Sequence, residues 1–324
     1  MQYRFLSPGG PEVSKLCLGT AQFGARLSRD EAFKQMDYFF DQGGTFLDTA
    51  RIYCAWVPGG LGISERIIGA WLKEKKVRDR IIISSKGGHP DLNTMDIPRM
   101  SPAEVRSDLE KSLKDLGTDH INLYFLHRDD PSVPAEEILD MLETFKKEGK
   151  IGFYGCSNWK LSRIMEADKA AARRGFAGFF CNQIRWGLGD INRGAISDQT
   201  LVVMDKAIYD YHRKTKRAVM AYTSSCNGYF SKKLRGQPLS PSIEGVYRNG
   251  PNERLSEMLG VWEGEFRLSA AALVSAYVMA QDFPAIPISS FSSIAQMEEL
   301  FPGADFTLPP ECLEEIQRIK HFIL

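Results

Sequence analysis

Short apolar runs alternate with longer amphipathic stretches along nearly the whole chain. The short runs read as buried strands; the longer stretches place apolar residues three and four apart, the spacing of one helix face. The chain opens with two short strands, 3–6 and 13–16, around Ser7-Pro8-Gly9-Gly10. Pro and Gly supply the dihedrals such a turn needs. A strand through Leu16-Cys17-Leu18 follows, then a helix over 30–42 that carries Ala32, Met36, Phe39 and Phe40 on one side and stops at Gly43-Gly44. Next come strand 45–48, helix 64–74, strand 80–85, and a helix opened by Ser101-Pro102-Ala103-Glu104. That tetrapeptide is an N-cap Ser, a Pro at the first helical position and a capping-box Glu.

The alternation continues with strand 121–126, helix 135–148, strand 151–154, helix 161–174, strand 178–182, helix 200–214 and strand 217–222. Residues 231–251 are polar and rich in Gly and Pro, and read as a long loop. Helices over 253–262 and 269–281, a strand over 285–288, a helix over 293–300 and a C-terminal helix over 310–322 complete the chain. Eight strand–helix units after an opening hairpin predict a (β/α)8 TIM barrel, with an N-terminal β-hairpin and an extra C-terminal helix, as one domain over 1–324. The competing architecture is a doubly wound sheet with a separate domain. It lacks the GxGxxG turn that a dinucleotide-binding version carries after its first strand.

Composition adds exclusions. Lys+Arg and Asp+Glu both count 41, so no net charge favours nucleic acid or another polyanion. The cysteines (Cys17, Cys54, Cys156, Cys181, Cys226, Cys312) show no zinc spacing and read as thiols of a reducing compartment. No signal-peptide core is visible at the N-terminus, and the apolar stretch 269–280 is too short to span a bilayer. A cytoplasmic protein without nucleic-acid or membrane partners is expected; nothing in the sequence speaks to oligomeric state.

The candidate chemistry lies at strand ends. Phe46-Leu47 stops at Asp48, the run 81–85 stops at Lys86, the run 121–126 stops at His127, and Tyr53 follows Asp48 by five residues. In a barrel the C-terminal strand ends share one mouth, so these groups converge. A lysine held by an aspartate beside a phenol favours phenolate, and an imidazole suits a hydrogen bond to a carbonyl. Each residue taken alone reads equally as a structural salt-bridge partner.

Phe46-Leu47-Asp48-Thr49-Ala50…Tyr53, Gly62-Ile63-Ser64-Glu65…Gly69, Ser84-Ser85-Lys86, Leu126-His127 and Gly155-Cys156-Ser157-Asn158, in that order, resemble the aldo-keto reductase superfamily. The resemblance implies a barrel with NADPH extended across its mouth, Tyr53 as general acid/base, Lys86 and Asp48 as its tuning pair, and His127 orienting the substrate. It also implies that Ser157, Asn158 and Gln183 hold the carboxamide, that Gly19 and Thr20 (with Asp48) lie near the nicotinamide ribose, and that Tyr222 stacks on the nicotinamide. Ser224 and Gly228 fall in the diphosphate loop, and Ser289, Ser290, Phe291, Gln296 and Glu299 fall at the adenosine end. The sequence departs from the family at 223–228, and 286–293 lacks the usual Arg or Lys for a 2′-phosphate. NADP(H) is therefore expected with NAD(H) as a live alternative, and no metal.

Trp56, Trp159, Arg185 and Trp186 are expected at the substrate pocket. Arg128 and Asp129 follow His127; the acids Asp129 and Asp130 either meet sugar-like hydroxyls or merely cap a turn. Three functions compete: an NAD(P)(H)-dependent reductase of an aldehyde or ketone, a nucleotide-binding regulatory subunit with little turnover, and a metal-dependent hydrolase using His127, Asp129 and Asp130. The tetrad favours the first.

Overall fold

A computed structural model of the chain describes residues 1–320. It opens with an antiparallel hairpin, β1 (Tyr3–Phe5) and β2 (Glu12–Ser14). Eight parallel strands then close a barrel: β3 (Cys17–Gly19), β4 (Phe46–Asp48), β5 (Ile82–Gly87), β6 (Ile121–Leu126), β7 (Ile151–Ser157), β8 (Cys181–Arg185), β9 (Ala218–Tyr222) and β10 (Ala285–Ser289). They pair in chain order and β10 returns to β3. The fold is a (β/α)8 TIM barrel.

Helices α1 (Arg29–Asp41), α2 (Ile63–Lys75), α3 (Pro102–Leu116), α4 (Ala135–Lys147), α5 (Leu161–Arg174) and α6 (Lys206–Thr215) each follow one strand. After β9 come α7 (Tyr229–Leu234), α8 (Pro241–Tyr247), α9 (Gly250–Phe266) and α10 (Ala270–Met279) before β10 is reached. Helices α11 (Ile294–Leu300) and α12 (Pro310–Ile319) end the described chain; the expected extension of the last helix to 322 lies outside the described residues.

The hairpin supplies Leu6 and Val13 to an inner cluster with Phe46, Leu123, Cys181 and Ala218. Phe46, Cys181 and Ala218 begin their strands, so the hairpin plugs the N-terminal end of the barrel and leaves the C-terminal end as the mouth. Two outer clusters join the barrel wall to the helices, one largely under α1–α5 and α11 and one largely under α6–α10 and α12.

Local rules explain the boundaries. Ser101 accepts from Glu104 N–H and the Glu104 side chain answers, the capping box expected for α3. The helix expected from residue 200 starts only at Lys206, because Asp205 caps it by accepting from Ile208 N–H at 2.9 Å. The residues just before it are extended, with Val203 bridging Arg185. The strand expected over 178–182 lies at Cys181–Arg185 instead; Gly178 adopts φ 74° and turns the chain first. The stretch 231–251 holds α8, with Ser240 as its cap and Pro241 in its first turn, and buries Val246 and Tyr247. Its Ser-Pro and Asn-Gly-Pro steps are helix starts, and composition alone does not distinguish them from a loop.

Candidate active site

β4 ends at Asp48, whose register partner on β5 is Ser84, and Lys86 lies two residues beyond Ser84 on the same face; Asp48 and Lys86 are both buried. Lys86 Nζ donates to Asp48 Oδ2 at 2.7 Å, to the carbonyl of Thr49 at 2.6 Å and to the Tyr53 hydroxyl at 2.9 Å. All three ammonium protons are thereby used. Asp48 is equally engaged: its Oδ1 accepts from Ser84 Oγ at 2.7 Å and from Gln183 Nε2 at 2.8 Å. Tyr53 O–H leans toward Asp48 Oδ2 at 3.4 Å. The His127 ring stands edge-on to Tyr53 with centroids 6.0 Å apart. The four residues therefore meet at the mouth.

The loop that presents Tyr53 is pinned from beneath. Ser64 Oγ donates to the Thr20 carbonyl at 3.0 Å and lies 3.1 Å from Thr49 Oγ1, and Glu65 accepts from Ser85 Oγ at 2.7 Å and from Arg51. The Gly-Ile-Ser-Glu stretch is thus a bracket rather than a reacting group. Ser84 was not among the expected site residues, although it lies two positions before Lys86 on a strand and so shares its face.

Electrostatics refine one expectation. Burial pushes the Tyr53 phenol well above its ordinary pKa, and the charge and hydrogen bond of Asp48 push the same way. Arg128 opposes them, and the net direction is upward, opposite to the lowering expected from the ammonium beside the phenol. Burial lowers the Lys86 pKa, opposed by Asp48. Burial, then His89, Arg128 and Lys86, hold His127 well below the ordinary imidazole value, so its ring is neutral. His89 packs against it with centroids 4.7 Å apart and is lowered to about 4, chiefly by burial. No periodicity in the sequence marks His89, which lies on an irregular loop.

The expected substrate residues divide. Trp56 is 49% exposed beside the Tyr53 loop. Arg128 is buried, donating to Asp198 at 3.0 Å and Thr200 at 2.8 Å. Arg185 lies at the end of β8 beside Tyr222. Asp129 is turned to Arg163 at 3.1 Å, and Asp130 caps its own turn by accepting from Ser132. Trp159 is fully buried against Phe179, with its N–H on the Arg128 carbonyl at 3.1 Å. Trp186 packs in the outer core among Tyr209, Tyr277 and Phe283. The structure thus commits Asp129, Trp159 and Trp186 to protein partners.

A model of the aldo/keto reductase family matches residues 15–321. The chain belongs to the aldo/keto reductase family. It is 36% identical over 193 residues to the uncharacterized oxidoreductase YrpG of Bacillus subtilis, covering 58% of this chain and 59% of that relative's length. It is 29% identical to the aldo-keto reductase YhdN of the same organism, over 72% of this chain and 65% of the relative. Norsolorinic acid reductase A of Aspergillus parasiticus is 24% identical over 99% of this chain and 81% of its own.

The other side of this aldo/keto reductase mouth carries the residues that a nicotinamide nucleotide would meet. Tyr222 presents its ring at the end of β9, with its hydroxyl fixed on Asn158 Oδ1. Asn158, in the left-handed region at φ 61°, donates to Ser157 Oγ at 3.1 Å, and Gln183 stands in the adjacent register position to Ser157. A side chain at Gly19 would come within 2.6 Å of Ser290 Oγ and 2.9 Å of Ile288, so the backbone there is bare by necessity. Ser224 ties β9 to β10 by donating to the Ile288 carbonyl at 2.8 Å and lies 3.4 Å from Ser289 Oγ. Thr223, Cys226 and Asn227 hold positive φ without being glycine, conformations that cluster at ligand loops. Lys232 folds back toward Gly228. Gln296 accepts from Ser292 N–H at 2.7 Å, the Phe291 carbonyl accepts from Gln35 at 3.2 Å, and Glu299 pairs with Arg235. A flat ring against Tyr222 and a phosphate-bearing tail past Ser224 and Gly228 fit these residues. Arg235, from the segment expected to be a loop, is a cation the sequence did not place there.

Proposed function

We propose that the protein interconverts a small aldehyde or ketone and its alcohol, with a nicotinamide nucleotide as redox partner and Tyr53 as proton donor and acceptor. When bound, the nucleotide supplies or accepts the hydride. The observation that carries the reading is the buried Asp48–Lys86–Tyr53 chain, with contacts of 2.7 and 2.9 Å. A phenol with a raised pKa holds a proton through neutral pH, as delivery to a carbonyl oxygen gaining charge requires. Lys86 fixes the phenol oxygen in place and stabilises it once the proton has left. His127 is kept neutral by burial, so one ring N–H is free to orient the same oxygen without a competing charge. In the reverse direction, Tyr53 takes the alcohol proton, which its high pKa favours.

The side chains assigned to the nucleotide are Ser157, Asn158, Gln183 and Tyr222 at the reacting ring, Gly19, Thr20 and Asp48 beside the ribose, Ser224 and Gly228 at the diphosphate, and Ser289, Ser290, Phe291, Gln296 and Glu299 at the adenosine. Arg235 is matched by Glu299 and Lys232 lies by Gly228, so NADP(H) is proposed with NAD(H) as the live alternative. The protein is read as a single barrel domain of the cytoplasm. Titration with NADPH and with NADH, followed by Trp fluorescence, tests the reading together with Tyr53→Phe. The variant is expected to lower turnover by about 10²–10⁴-fold while both titrations stay unchanged. Binding of neither nucleotide, or turnover that survives in the variant, sinks it.

A further inference from the structure

Two guanidinium groups reach the mouth from strand ends, and only one has its charge matched. Arg128 is paired with Asp198 at 3.0 Å. Arg185 is nine-tenths buried, at 9% exposure; its side chain meets the Tyr247 phenol, yet its Nε has no hydrogen-bond partner and, among the described residues, no carboxylate pairs with it. Its side-chain direction follows from strand alternation. Gln183 points inward, reaching Asp48 at 2.8 Å, and Ile184 packs outward in the core under α6. Arg185 therefore points inward again, one step closer to the open end than Gln183. Its register partner is Tyr222, whose phenol feels the charges of Arg128, Arg185, Asp198 and Tyr53 together.

A guanidinium does not shed its proton, so burial cannot neutralise it as it does a lysine or histidine. A buried charge without a counter-ion is strongly unfavourable unless a ligand completes it. The planar fork of arginine matches the two oxygens of a carboxylate or phosphate. We propose that Arg185 is the anion anchor of the substrate pocket, so that the carbonyl compound turned over here carries a carboxylate or phosphate group. The inference rests on the reductase reading. In it, the carbonyl faces Tyr53 and His127 while the anionic end lies toward β8.

The test uses matched aldehydes: succinic semialdehyde against butanal, and glyceraldehyde 3-phosphate against glyceraldehyde. Wild type, Arg185→Gln and Arg185→Lys are compared with both nucleotides. Wild type is expected to favour the anionic member of at least one pair by about tenfold or more in kcat/KM. Arg185→Gln brings that ratio close to one, mainly through KM, because the anionic aldehyde loses far more than the neutral one. Arg185→Lys, which keeps the charge and is the safeguard against misfolding of the first variant, retains part of the preference. Equal losses on both members of a pair, or a ratio that survives in Arg185→Gln, overturn the proposal. So does weaker NADPH and NADH binding in Arg185→Gln with the ratio unmoved, because the anion would then be the nucleotide's phosphate. A binding arm needs no turnover: succinate or inorganic phosphate, titrated with and without NADP, is expected to change Trp fluorescence in wild type and not in Arg185→Gln. Absence of that Arg185-dependent response overturns the anchor even if the nucleotides bind. Its presence without nucleotide binding keeps the anchor and sinks the reductase reading.

Discussion

Lys86 and Arg185 are both buried cations facing the same barrel mouth, on β5 and β8, and their surroundings are opposite. Lys86 spends all three donors on Asp48, Thr49 and Tyr53, and Asp48 in turn is filled by Ser84 and Gln183. Arg185 meets the Tyr247 phenol but has an unpartnered Nε and no paired acid among the described residues. A charge whose every bond ends inside the protein belongs to the machinery that is set before substrate arrives. A charge left open belongs to whatever arrives. Preorganisation of the first kind is what lets a site stabilise developing charge without rearranging.

Breaking the closed side has the largest expected effect. Lys86→Met removes one partner of a buried ion pair and leaves Asp48 uncompensated, a loss of about 3–5 kcal/mol. Urea unfolding at pH 7 reads it directly. Asp48→Asn/Lys86→Met together is expected to recover part of that loss, since neither charge is then stranded. A Lys86→Met protein as stable as wild type contradicts the closed network and with it half of the comparison.

How much of this was readable beforehand follows the same division. The half of the barrel from β3 to α5 joins strand to helix with repeating spacings, and the pattern of apolar positions locates its elements to within a few residues. The tetrad is legible because strands end on it: Asp48 and Lys86 close apolar runs that cannot be anything but buried strand. Burial also explains what was missed. The ammonium next to Tyr53 suggested a lowered pKa, and only the structure shows that loss of water and then Asp48 push it the other way. The half from β8 onward is different. Gly178 delays β8, Asp205 delays α6, and helix α8 opens on Ser240-Pro241 inside a segment that composition assigns to a loop. Trp159 and Trp186 show the same limit from another side: an aromatic near a strand end is a pocket candidate until packing shows it turned into the core.

Burial of a base without a charge is a third arrangement, and pH exposes it. His212 is fully buried; its Nδ1 meets the Arg217 carbonyl at 3.0 Å and its Nε2 the Asn182 amide at 3.2 Å. A neutral ring with the proton on Nδ1 satisfies both contacts. Burial lowers its pKa to about 4, and that of His89 likewise to about 4. The unfolded chain takes up a proton near pH 6.5 while the native rings stay neutral, so the unfolded state binds more protons in that window. Stability is thus full above about pH 6.5 and declines as pH falls toward 4, by about 3 kcal/mol for each ring at the low end. Urea midpoints measured between pH 7 and 5 give the slope, and His212→Gln is expected to shallow it. An unchanged slope in that variant means that His212 is not the group responsible.

The smallest effect is the one that most sharpens the contrast between the two cations. Arg185→Gln removes a buried charge that has no acid to strand, so the destabilisation expected of Lys86→Met has no counterpart here. Relief of an uncompensated buried cation favours the folded state, while loss of the packed side-chain stem opposes it. The net expectation is a change within about 1 kcal/mol of zero, on the stabilising side, in protein free of small anions. Adding succinate or phosphate is expected to reverse the order, because an anion that binds the native wild type raises its stability by mass action and gives the variant nothing. Thermal unfolding of both proteins, with and without the anion, measures the crossing. If Arg185→Gln instead loses several kcal/mol with no anion present, Arg185 is held by the protein as Lys86 is, and the open side of the mouth is not open.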